Sequence, residues 1–176
     1  MIRSLFILFS LLAGAATADQ LTVGEPLPML SGHTVSGKLL ELPSAAKGSN
    51  RVLVFSFAKS ASADSRAWSQ HLVADADPSS PVISYRVIVL ESVPKLFRGM
   101  AVSGIKSGVP QALWDTTVLL YQDEALWKKR LAVTADDRCY IVLLDGEGRL
   151  RWVSPGPFSN SAYGRLKEAV SHIRGR

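Results

Sequence analysis

Arg51-Val52-Leu53-Val54-Phe55-Ser56-Phe57-Ala58-Lys59-Ser60-Ala61-Ser62-Ala63-Asp64-Ser65-Arg66 decides the fold. Its first half, Arg51 to Phe57, is an almost unbroken β-favouring run, the pattern of a strand buried on both faces. Its second half turns polar and small. Ser62, Asp64 and Ser65 are residue types that cap helix N-termini, and Arg66 to Ala74 has helical spacing through Trp68 and Leu72. The whole therefore reads as strand, loop, helix.

The same alternation continues outward. Val82 to Leu90 is a second buried strand, and Pro94 to Gly108 carries Leu96, Phe97, Met100 and Ile105 at roughly helical intervals. Thr117 to Tyr121 is a short strand and Asp123 to Arg130 a short helix. Tyr140 to Leu144 is a strand closed by the turn Asp145-Gly146-Glu147-Gly148, which leads into a strand over Arg149 to Val153. Ser159 to Arg174 is an amphipathic helix with Leu166, Ala169, Val170 and Ile173 on one face. Upstream, Gly32 to Leu40 has the two short extended pieces of a hairpin. Strands and helices in this order predict an α/β fold, a mixed central sheet flanked by helices.

At the N-terminus, Arg3 precedes the apolar run Leu5 to Leu12, and Ala16-Thr17-Ala18 fits the small-x-small pattern of signal peptidase sites. The run is too short to span a bilayer comfortably, which needs about 20 residues; a retained N-terminal anchor is the competing reading. Residues 1–18 are thus expected to be a signal peptide, with export to a periplasm or another extracytoplasmic compartment, and residues 19–176 one domain. An apolar fraction of 47% with 20% charged residues is the composition of a globular chain. The net charge of +5 favours anionic lipid or acidic protein surfaces. No dense basic stripe with interleaved aromatics points to nucleic acid.

Cys139 is the only cysteine, so neither an internal disulfide nor a Cys-x-x-Cys pair exists. His33, His71 and His172 are scattered without ligand spacing, and no metal or other cofactor is expected.

Val52 to Arg66 resembles, without gaps, the strand and active-site loop of the redoxins, members of the thioredoxin-like superfamily. In that register Ser62 and Ser65 take the positions of the Cys-x-x-Cys pair. The family's motif works because a helix N-terminus stabilises the first thiolate; serine there supplies no thiolate and forms no disulfide. The redoxin cis-proline would fall within Asp136-Asp137-Arg138-Cys139, which has no proline. Glu91 to Met100, Gly104 to Pro110, and Leu144-Asp145 through Leu150-Arg151-Trp152 are similar to the mitochondrial ATP synthase assembly factor ten family. That resemblance implies a cysteine-poor thioredoxin-like chaperone for a membrane subunit; the leader implies export instead, so the client is not carried over.

The residues therefore predict a non-catalytic, exported binding or assembly factor, acting on a protein client that is membrane-associated. Ser62 and Ser65 are read as helix-start caps. The apolar residues of 94–110 read as a sheet-facing side, and Lys95, Phe97, Arg98 and Lys106 as a partner-binding surface that also suits an anionic membrane. The alternative is an enzyme, a one-cysteine thiol peroxidase or reductase using Cys139.

Overall fold

Strand β3 (Asn50–Ser56) is the axis of the molecule, and Arg51 to Ser56 are all buried, because strands lie on both sides of it and side chains cover both faces. The computed structural model describes residues 20–44, 48–76 and 82–174. The predicted leader, residues 1–18, lies outside the described residues. The remaining strands are β1 (Leu30–Thr34), β2 (Leu39–Leu42), β4 (Val82–Val89), β5 (Thr117–Leu120), β6 (Tyr140–Leu144) and β7 (Leu150–Pro155). They form one sheet in the order β2-β1-β5-β4-β3-β6-β7. β3, β4 and β5 run parallel; β6, β7 and the β1–β2 hairpin add antiparallel edges. This is the mixed sheet expected from the sequence.

Parallel neighbours need crossovers, and successive right-handed crossovers in one direction put their helices on one face. Those helices are α1 (Ser62–Ala74), between β3 and β4, and α2 (Lys95–Gly108), between β4 and β5. Val52, Val54, Ile141 and Leu143 pack with Trp68 of α1 and with Tyr163 and Leu166 of α4 (Asn160–Arg174). Further along that face, Ile88 and Leu119 pack with Val102 and Ile105 of α2. The other face buries Leu53, Phe55, Val142 and Leu144 under Leu27 and under Trp127 of α3 (Glu124–Arg130). Residues ahead of β1 strap this end of the sheet: the Gly24 N–H donates to Leu150 O and the Leu27 N–H to Gly148 O, at 2.8 and 2.9 Å.

Two expectations are corrected here. Ser62 and Ser65 do not cap α1. The helix follows directly from a 3-10 turn over Lys59–Ala61, so its N-cap is Ala61 and no side chain bonds the helix start. The serines therefore lie inside the first turn, where they face neighbours rather than free backbone N–H groups. The apolar residues of α2 were also expected to face the sheet. Val102 and Ile105 do so in part, but Leu96, Phe97 and Met100 are 86%, 50% and 70% exposed, and no residue of α2 is buried. The helix carries two apolar faces, and the sheet covers only one.

Candidate functional site

The loop after β3 and the first turn of α1 bring Ser62, Ser65 and Cys139 to one end of the sheet. Ser62 is half-buried and Ser65 fully buried beneath α1. The Ser65 Oγ accepts a 3.0 Å hydrogen bond from Arg86 Nε. Cys139 ends the segment leading into β6, and its thiol donates to Ala61 O at 3.4 Å. Burial, then the nearby Asp64 carboxylate, push this thiol up to about 12, against weaker opposing effects from Arg86 and Ser65. At neutral pH the group is a neutral thiol, poorly suited to nucleophilic attack.

Arg86 is the member of this cluster that the residue pattern did not single out. The signal was there: it is the sole charged residue of Val82-Ile83-Ser84-Tyr85-Arg86-Val87-Ile88-Val89. In register it lies between Val54 of β3 and Thr117 of β5, on the face that α1 and α2 share. Arg51, in β3, is a second unforeseen guanidinium. It is fully buried on the opposite face, and Nε, Nη1 and Nη2 have no hydrogen-bond partner.

The proposed partner surface divides in two. Arg98 is engaged within the fold: Nε and Nη2 donate to Val93 O and Glu91 O at 2.9 and 3.0 Å, and the guanidinium lies 5.3 Å from the Tyr121 ring centroid. Lys106 sits 5.5 Å over the Trp114 ring. Lys95 and Phe97 face outward with Leu96 and Met100. His71 stacks on Phe158 with centroids 3.9 Å apart, while His33 lies on β1 and His172 on α4; the three are not brought together.

No family model matches the chain, and no curated protein matches it in sequence. Solved structures do. An exposed lipoprotein thioredoxin, Etrx1, from Streptococcus pneumoniae superposes with a TM-score of 0.58 at 18% identity, over 80% of this chain and 99% of the other. A thiol:disulfide interchange protein DsbE from Chlorobium tepidum gives a TM-score of 0.63 at 17% identity, over 88% and 99%. The fold is thioredoxin-like. A third match, BsSco, a member of the Sco family of cytochrome c oxidase assembly proteins, gives a TM-score of 0.59 at 14% identity, over 90% and 98%. Superposition at this level of identity establishes the architecture alone. Within that architecture the chemistry must be read from this chain's own residues, which hold a single, buried, neutral thiol.

Proposed function

We propose that this protein is an exported, non-catalytic thioredoxin-fold factor that binds a protein client at the cell envelope. Its contact surface is the outer side of α2 around Lys95, Leu96, Phe97 and Met100. Ser62 and Ser65 occupy the redox positions of the fold without its chemistry. The observation that carries the reading is the exposure of Leu96, Phe97 and Met100 on a helix with no buried residue. Large apolar side chains grouped on one exposed turn are the mark of an interaction surface. The resemblance of the middle of the chain to assembly factors supports the same assignment. The thiol enzyme draws no support from Cys139, whose Sγ is enclosed and hydrogen-bonded to backbone.

A photoreactive residue placed at Leu96 or Met100 in cells tests this, with exposed Glu168 on α4 as the control position. Discrete adducts from positions 96 and 100 and none from 168 are expected, together with insulin reduction and peroxide consumption at the level of a blank. A common diffuse pattern at all three positions would remove α2 as the contact surface. Turnover that disappears in Cys139→Ser would replace binding with catalysis.

A further inference from the structure

The outer side of α2 is apolar and small in its middle and positive at both ends. Leu96, Phe97, Gly99, Met100, Ser103 and Gly104 are exposed there, while Arg98, Val102 and Ile105 belong to the partly buried inner side. Lys95 precedes the apolar residues and Lys106 follows them, both exposed. Eleven residues of helix set the two lysines about 16 Å apart along its axis. No Asp or Glu occurs in α2. The acids that flank it in sequence are engaged elsewhere: Glu91 accepts from the Glu124 N–H, Glu124 pairs with Lys128, and Asp115 pairs with Lys38. Neither Lys95 nor Lys106 is in an ion pair among the described residues.

Gly99 and Gly104 agree with an outside partner. Glycine is the poorest residue for a helix interior after proline, and a Cβ added at either position would meet no atom of the fold within 4 Å. Nothing within the molecule therefore requires their missing side chains, whereas a second backbone laid against α2 would approach closest over them. A helix face also offers no free main-chain groups, so an extended peptide on it gains no backbone bonds, while a helix arrives with its own already made. We infer that the client meets α2 with an amphipathic helix lying along it, apolar in its middle and carrying carboxylates about three turns apart that reach Lys95 and Lys106. This inference rests on the client-binding reading and specifies the client's chemistry.

A helix-stapled, fluorescent peptide of about 18 residues, with leucine and alanine on one face and glutamates eleven residues apart, serves as the probe. Its anisotropy is followed as the full domain is added. Saturable binding is expected, about tenfold weaker when both glutamates are lysines and about tenfold weaker again for the natural peptide with Lys95→Glu. Lys95 is exposed, so that variant keeps the fold. Gly99→Ala should raise the unfolding midpoint and yet weaken peptide binding, opposite movements that a merely structural glycine would not give. Equal affinity for the acidic and basic peptides, or no saturation with either, overturns the acidic helix. Adsorption of the domain to phosphatidylglycerol vesicles without peptide binding assigns the surface to lipid and overturns it as well. Discrete cross-links from positions 96 and 100 beside any of these failures would keep the client reading and remove only the chemistry assigned to the client.

Discussion

Arg86 Nε and Ser65 Oγ, 3.0 Å apart, tie the central sheet to the first turn of α1. The serine is completely buried, so the bond is made where water competes poorly. Ser65→Ala should leave that N–H without its acceptor and cost about 1–3 kcal/mol. Ser62→Ala, at a half-buried position with no comparable bond, should stay within about 0.5 kcal/mol. Urea unfolding of the two variants separates them, and equal effects would remove the structural role assigned to Ser65.

Cys139 should resist thiol reagents in the folded protein. Its side chain is inaccessible, and burial holds the thiol near 12, so the thiolate is scarce across the physiological range. Labelling with a chromogenic disulfide should be complete in denaturant and slower by orders of magnitude without it. Rapid labelling of the native protein at pH 7 would contradict both the burial and the thiol's protonation.

Arg51 should be replaceable with a gain in stability. A buried guanidinium without hydrogen bonds bears a desolvation penalty that Tyr85 and the Asp145 carboxylate offset only in part. Arg51→Met keeps much of the volume beside Leu53 and Leu144 and removes the charge; replacement of a buried ionic group in this way is neutral or stabilising by about 1–4 kcal/mol. Thermal unfolding at pH 7 gives the answer, and a fall in Tm of several degrees would show that the guanidinium is serving the fold.

Asp145 makes stability fall in acid. Burial alone would raise its carboxyl, but the Arg149 N–H, the Arg151 side chain and the Glu147 N–H outweigh that and hold it below the usual carboxylate range. The Arg151 Nε–Oδ2 distance is 2.6 Å, and both backbone bonds are 2.9 Å. A carboxyl depressed on folding contributes stability that is fully present above its unfolded value, near 3.8, and is lost as pH falls through the folded value. Asp145→Asn should therefore cost about 2 kcal/mol at pH 7 and flatten the pH dependence below about pH 4. An unchanged acid limb would exclude Asp145 as its source.

Leu96→Ser and Met100→Ser should leave unfolding midpoints nearly unchanged, because these side chains are already in water. Val102→Ala, on the sheet-facing side of α2, should destabilise by about 1 kcal/mol or more. Met100→Ser should abolish the cross-link expected from a photoreactive residue at position 96, and Leu96→Ser the one expected from position 100. Loss of stability equal to that of Val102→Ala would mean that α2 buries its outer side.

Tyr140 to Leu144 could be placed from the sequence to the residue, because five consecutive apolar residues ending at Asp-Gly have one sensible reading, a buried strand before a turn. The hairpin, the three parallel strands and their order of helices follow from similar local signals, and so did the fold. The role of Ser65 did not, since a serine at a helix start is a plausible cap in any sequence; only the preceding 3-10 turn moves it inside the helix.

The apolar pattern of α2 shows the division most clearly. The spacing of Leu96, Phe97, Met100, Val102 and Ile105 marks the segment as helical and apolar, because that periodicity is a local property. Which of those side chains stay in water depends on how far the sheet extends beneath the helix, and that is a property of the assembled fold. The same reasoning covers Arg86 and Ser65, twenty-one residues apart in the chain. Their types were visible in the sequence; their meeting was decided only when β4 paired with β3 and α1 closed over both.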